Sequence, residues 1–239
     1  LIQLEKISKQ FGKLKALDQI SVSCNKGECI ALIGPNGCGK TTLIKCILGM
    51  VVPDSGTITI NGQNVIKDWK YRSQIGYMPQ IGRYPDNMSI GQVISMMKDI
   101  RRNGHAGLDE ELLNAFGLEK MQNKRLATLS GGTRQKVSAV LAFLFNPEVL
   151  ILDEPTAGLD PISSEILKEK IIKEKKNGKL ILITSHVLSE LDDLITQVIY
   201  MQEGKLKFHK NIDDLIVNTG EQRLSKAIAH VIRMEGGIQ

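Results

Sequence analysis

Gly34-Pro35-Asn36-Gly37-Cys38-Gly39-Lys40-Thr41 fills every fixed position of the phosphate-loop pattern G-x-x-x-x-G-K-[ST]. An apolar run, Cys29 to Ile33, precedes it, and a stretch with helical character, Thr42 to Leu48, follows. That is the context the motif requires. Glycines let the backbone curl until its N–H groups face phosphate oxygens, and a helix N-terminus adds partial positive charge. Lys40 then reaches the β- and γ-phosphates, Thr41 offers its hydroxyl to Mg2+, and Thr42 can add a hydrogen bond to the α-phosphate. Alone, the loop says nucleoside triphosphate and no more, because kinases, GTPases and helicases share it. The Asn-Lys-x-Asp element with which GTPases read guanine does not occur.

A second constellation is the apolar run Val149-Leu150-Ile151-Leu152, which ends in Asp153-Glu154. Asp153 is placed to hold Mg2+ through water and Glu154 to polarise an attacking water. The roles differ because the metal keeps one acid ionised while the other must accept a proton. Without the phosphate loop, the pair would read as two ordinary solvated acids. A third is Leu129-Ser130-Gly131-Gly132-Thr133, directly before the apolar-rich segment Val137 to Phe145. A serine and two glycines at a helix start make a second phosphate nest, and equally a plain N-cap with a flexible lead-in. Two nests far apart in one chain point to two chains facing each other, each nest closing on nucleotide held by the other chain.

The elements that must position these residues are of two kinds. Cys29–Ile33, Val149–Leu152 and Leu180–Ile183 are nearly continuous apolar runs, as in parallel strands covered on both faces. The N-terminal stretch reads as short strands about a Gly12 turn. Thr57 to Ile60 alternates polar and apolar between Gly56 and Asn61-Gly62, which predicts an antiparallel sheet beside the main core. Asp160-Pro161 supplies an N-cap and a first-turn proline for a helix that ends at Asn177-Gly178. The Lys- and Glu-rich run from Lys168 to Lys176 reads as its solvated face. From about 83 to 145 helical periodicity takes over. Ile90, Val93, Ile94, Met97 and Ile100 form one stripe, and the Met96-Met97 pair is expected to pack in the helical core.

Composition narrows the class. With 239 residues, 42% apolar and 24% charged, the chain suits a single α/β domain, 1–239, with a helical subdomain inserted at approximately 83–145. Aromatic residues are only 4% and the net charge is a mixed +5, so no nucleic acid is expected as partner. No apolar run is long enough to cross a bilayer, so any service to a membrane runs through other chains. Cys24, Cys29, Cys38 and Cys46 lack metal-site spacing and read as reduced, mostly buried thiols. Cys38, inside the phosphate loop at a helix start, is a candidate reactive thiol.

In order and spacing these motifs resemble those of the ABC-family ATPases over nearly the whole chain. Gly34 to Thr42 is similar to the Walker A loop, Leu129 to Thr133 to the family signature, and Val149 to Glu154 to Walker B with its catalytic glutamate. Gln80, in Tyr77-Met78-Pro79-Gln80, resembles the Q-loop glutamine; Ala157-Gly158-Leu159-Asp160 resembles the D-loop, and Thr184-Ser185-His186 the switch histidine. The resemblance implies an α/β P-loop NTPase (RecA-like) core with a mostly parallel sheet, an N-terminal antiparallel β subdomain and an inserted helical subdomain.

It also implies roles. Glu154, His186, Gln80 and Lys40 would be the catalytic group, and Thr41, Gln80 and Asp153 the Mg2+ ligands. The residues from Gly34 to Thr42 would cradle ATP; Ser130, Gly131 and Gly132 would bind the γ-phosphate held by the opposite chain. Asp160 would reach across the dimer, which its N-capping role does not exclude. His186 would contact the γ-phosphate; otherwise it is a packed or solvated loop residue. Phe11 stands where the family has an adenine-stacking aromatic, usually tyrosine, and would otherwise be a core ring. Thr133 stands where glutamine is common, and Lys136 where arginine is frequent. The implied protein is the ATPase subunit of a transporter. It would pair with a second copy on ATP binding and serve transmembrane permease subunits from the cytoplasmic face of the cell membrane. A soluble, non-transport ABC ATPase of translation or DNA repair is the alternative, although the chain shows neither a second ATPase domain nor a long coiled-coil insertion.

Overall fold

The computed structural model of the chain describes residues 1–65, 68–101, 107–187, 191, 193–221 and 223–236. Strands β1 (Ile2–Phe11), β2 (Leu14–Cys24) and β3 (Cys29–Ile33) lead into helix α1 (Lys40–Ile47), then β4 (Ser55–Ile60) and β5 (Gln63–Asn64). Next come β6 (Ile75–Met78), α2 (Ile90–Ile100), α3 (Glu111–Ala115), α4 (Gly131–Phe143), β7 (Val149–Asp153) and α5 (Pro161–Lys176). The order closes with β8 (Leu180–Thr184), β9 (Gln197–Gln202), β10 (Lys205–Asn211), α6 (Ile212–Thr219) and α7 (Leu224–Gly236). Two compact units divide the chain, one of residues 1–72 with 182–239 and one of residues 73–181.

In the first unit an antiparallel sheet runs in the order β2-β1-β4-β5. Its leading strands are long, at ten and eleven residues, and not the short ones the Gly12 turn suggested. Bulges interrupt the β1–β2 pairing. Leu4 pairs with Val22 and Ile7 with Ile20, and the register shift between them coincides with left-handed Lys6 (φ 50°). The extra residue lets Leu4 and Ile7, three apart, both enter the core. Strand β3 pairs in parallel with β9, Ile30 opposite Gln197 through Ile33 opposite Tyr200, and β10 returns antiparallel along β9. All five residues of β3 are buried, as a two-sided apolar strand requires.

In the second unit β6 and β7 pair in parallel, Ile75 opposite Val149 through Met78 opposite Leu152. Helix α4 lies directly on β6: a Cβ on Gly76 would sit 2.0 Å from the Ala142 carbonyl oxygen. Helix α2 begins at a capping box, Ser89 Oγ accepting from Gln92 N–H while the Gln92 side chain accepts from Ser89 N–H. Ile90, Val93 and Ile94 are buried as expected, but Ile100 is 70% exposed and Met96 and Met97 are only half-buried. The apolar stripe therefore packs at its N-terminal half alone.

The charged run on α5 is a correction. Lys170 and Glu174 are each only 2% exposed. Lys170 Nζ lies 2.5 Å from Asp109, 2.7 Å from Glu111 and 2.8 Å from Glu174, and Lys179 pairs with the other Glu174 oxygen. Three acids, two of them about sixty residues away in sequence, let this lysine turn inward. The cysteines are free and buried as expected, and burial pushes the Cys24 thiol up to about 12 and that of Cys46 up to about 11.

Candidate functional site

The phosphate loop belongs to the first unit. Its glycines are dictated by crowding as well as by turn geometry. Gly34 is left-handed (φ 149°), and a Cβ there would meet the Met201 carbonyl oxygen at 2.1 Å; Gly39 (φ 107°) would meet that of Ala16 at 2.4 Å. The loop is thus wedged between the end of β9 and the edge of β2. The turn from β9 to β10 ties both down: Gly204 N–H donates to the Cys38 carbonyl at 3.0 Å and Asp18 N–H donates to that of Gly204 at 2.8 Å. A Cβ on Gly37 would meet nothing within 4 Å, so the tip of the loop, with exposed Pro35 and Asn36, stands open.

Helix α1 starts at Lys40 after the N-cap Gly39, with no side-chain cap and no acid in its first turn. Its first N–H groups are therefore left for an anion. Lys40 folds back over the loop, its Nζ donating to the carbonyls of Gly34 at 2.7 Å and Pro35 at 3.2 Å. Thr41 is exposed and Thr42 half-buried on the same turn. Cys38 departs from expectation: it is only 3% exposed, its sulfur facing Lys40 Nζ at 3.9 Å, so the thiol is shielded from reagents. Two other residues of the first unit are open. Phe11, at the tip of the β1–β2 hairpin, is 48% exposed with Lys9 Nζ 5.5 Å from the ring centre, which removes its reading as a core ring. His186, just beyond β8, is exposed.

The remaining candidates share the second unit. Asp153 closes β7, and its negative charge, after burial, helps push the Tyr77 phenol upward. Glu154 follows in a left-handed conformation (φ 51°), a strained position for a residue with a side chain. Both acids are half-buried, and Gln80, just past β6, is exposed.

Ser130 is the N-cap of α4, its Oγ accepting from Thr133 N–H at 3.2 Å and sharing a hydrogen bond with the Thr133 hydroxyl at 2.9 Å. Gly131 is open, while a Cβ on Gly132 would lie 2.7 Å from the Gly158 carbonyl oxygen. Asp160 caps α5, accepting from Ser163 N–H and Oγ at 2.9 and 2.8 Å, and pairs with Lys136 at 2.8 Å. The capping expectation for Asp160 is met. Sequence reasoning missed Gln135, whose side-chain amide donates to the Glu154 carbonyl at 3.3 Å. The signal was a face of α4, positions 132, 135 and 136, turned toward the loop after β7.

Among the described residues no cluster of three or more His, Cys, Asp or Glu could hold a metal by itself. The side-chain oxygens of Thr41, Gln80 and Asp153 are donors of the kind that Mg2+ takes beside water and phosphate. No helix among the described residues is long and apolar enough to cross a membrane.

Comparison with known proteins decides the family. The family model described as ABC transporter matches residues 17–157, more than half of the chain. The chain belongs to the ABC transporter family. Its fold is that of the family's ATP-binding subunit. The Phospholipid-transporting ATPase ABCA3 of Mus musculus is 35% identical over 214 residues, which are 86% of this chain and 12% of that much longer protein. The Nod factor export ATP-binding protein I of Burkholderia orbicola is 32% identical over 208 residues, 85% of this chain and 68% of that one. A solved structure, that of the ATP binding subunit of an ABC transporter, superposes with a TM-score of 0.88 at 29% identity, covering 96% of this cassette and 98% of that chain. The α/β P-loop NTPase fold expected of an ABC cassette is the one found.

Proposed function

We propose that two copies of this cassette close around two MgATP molecules and reopen after hydrolysis, driving separate transmembrane permease subunits from the inner face of the membrane. The observation that carries this reading is the phosphate loop. Crowding admits only glycine at 34 and 39, α1 begins without a side-chain cap, and Lys40 is already folded over the loop carbonyls. Such a loop is preorganised for a triphosphate, so little reorganisation opposes binding.

In this reading the loop residues Gly34 to Thr42 hold the phosphates, Lys40 the β- and γ-phosphates, and the exposed face of Phe11 the adenine. Glu154 takes the proton of the water that attacks the γ-phosphorus as the β–γ bridging oxygen leaves, and His186 and Gln80 orient the γ-phosphate and that water. Thr41, Gln80 and Asp153 are the side chains that would hold Mg2+, which would supply neutralisation of charge on the transferred phosphoryl group. Ser130, Gly131 and Gly132 meet the nucleotide of the second copy, and Asp160 reaches toward that copy. Closure follows from the nucleotide's differential affinity for the closed pair. Gln80 and the helical segment from 83 to 145 carry the motion to the permease.

Two variants test the reading. Lys40→Ala should weaken ATP binding at least tenfold in a fluorescent-nucleotide titration, and unchanged affinity would remove the phosphate-loop role. Glu154→Gln should bind ATP, elute as a dimer on size exclusion and turn over very slowly. Turnover at the wild-type rate would remove Glu154 as the base. Co-purification of the wild-type cassette with a polytopic membrane protein tests the transport half; its absence under mild detergent favours the soluble alternative.

A further inference from the structure

We infer that Gln135 is a positioning residue for Glu154, so that the helix presenting the Ser130–Gly132 nest also sets the orientation of the general base in its own chain. The inference rests on the reading of Glu154 as that base. Glu154 leaves β7 with a left-handed backbone (φ 51°), a conformation that a residue with a side chain keeps only when its surroundings enforce it. Two donors enforce it here. Ala157 N–H donates to the Glu154 carbonyl at 3.1 Å from within the turn, and the Gln135 side-chain amide donates to the same oxygen at 3.3 Å from α4.

Gln135 is 6% exposed, so its amide is placed by packing and not drawn there by solvent. Helix α4 grips the same loop at two further points, both after Glu154. Gly132 lies so close to the Gly158 carbonyl that a Cβ would approach it to 2.7 Å, and Lys136 pairs with Asp160 at 2.8 Å. Positions 132, 135 and 136 share one face of the helix. A shift of α4 that accompanies occupation of its N-terminal nest is thereby transmitted to the Glu154 carbonyl, and through it to the direction of the carboxylate. A backbone hydrogen bond of this kind acts on geometry, not on nucleotide affinity.

Gln135→Met keeps the length of the side chain and removes the donor. We expect kcat to fall about fivefold, the worth of one neutral hydrogen bond, with the KM for ATP unchanged. In a Glu154→Gln background the same substitution should produce no further loss in single-turnover rate, because the group it positions is gone. Unchanged kcat, a rise in KM alone, or losses that multiply in the double variant each overturn the proposal. If Gln135→Met does not fold, Gln135→Asn serves, since it keeps the amide but withdraws it by one methylene; wild-type kcat in that variant also overturns it. The reading of Glu154 itself fails separately, if Glu154→Gln alone turns over normally.

Discussion

Lys136 Nζ lies 2.8 Å from Asp160 Oδ2, so the lysine that stands where arginine is frequent ties helix α4 to the N-cap of α5. Lys136, followed by the Ser163 N–H and hydroxyl, holds the Asp160 carboxyl well below its ordinary value of 3.8. Asp160→Asn should keep a capping acceptor and lose only the ion pair, whereas Asp160→Ala loses both. Melting temperature should therefore fall in the order wild type, Asp160→Asn, Asp160→Ala. Because the folded-state value is depressed, the charged form's contribution is complete above 3.8 and fades as pH falls below it. Calorimetry at pH 7 and pH 3 should show the gap between wild type and Asp160→Ala narrowing in acid. The carboxylate is solvent-facing, so the pair's share should also shrink in high salt.

Lys170 supplies a second prediction. Burial alone would lower it, but Asp109, Glu111 and Glu174 outweigh burial and raise it above its ordinary 10.5. Glu174, opposed likewise by burial, is held below 4.5 by Lys170 and Lys179. The lysine's contribution is present below 10.5 and lost as pH rises through its folded value; that of Glu174 is present above 4.5 and lost as pH falls. Between those limits Lys170→Ala should cost about 3–5 kcal/mol in urea unfolding, since it removes the buried cation that Glu174, Asp109 and Glu111 share. Wild-type stability should fall away below pH 4.5 more steeply than that of Glu174→Gln.

Why this cluster escaped sequence reasoning is physical. Lys170 lies on the buried stripe of α5 beside Leu167 and Ile171, but the partners that let a charge sit there, Asp109 and Glu111, are about sixty residues away. The stripe marks position 170 as inward-facing, but nothing local says that a charge there finds its partners. The apolar runs were legible because a strand covered on both faces permits no polar residue: the expected Cys29–Ile33, Val149–Leu152 and Leu180–Ile183 became β3, β7 and β8 with at most one residue added. Asp160-Pro161 and Asn177-Gly178 likewise bound α5, because caps are read from local chemistry. The phosphate loop was legible as a motif, but its crowding against Ala16 and Met201 was not. Those contacts are tertiary. Gln135 was hidden for the same reason, a buried polar side chain serving a carbonyl nineteen residues away.

That crowding ranks the loop glycines. Gly34→Ala and Gly39→Ala must resolve backbone contacts of 2.1 and 2.4 Å, which a carbonyl cannot yield without moving β9 or β2. Gly37→Ala meets no atom within 4 Å and carries only the strain of φ 78°, roughly 1–2 kcal/mol. Alanine at 34 or 39 should abolish nucleotide binding and lower the melting temperature, while alanine at 37 should lower stability modestly and leave measurable ATP affinity. Equal loss at all three positions would mean that the turn, not the packing, demands glycine.

Phe11 separates recognition from packing. Its ring is 48% exposed at the hairpin tip, with the Lys9 ammonium 5.5 Å from its centre, so it contributes little to a core. A core phenylalanine truncated to alanine costs about 3–5 kcal/mol of stability. Here Phe11→Ala should leave the unfolding midpoint close to wild type while weakening ATP binding roughly two- to tenfold, the range of one aromatic stack. Phe11→Tyr should restore affinity, because stacking requires a ring face and not a particular substituent. The contrast between an unmoved melting curve and a weakened nucleotide titration identifies the ring as part of the base-binding surface. A destabilised variant with normal affinity would return Phe11 to a purely structural role.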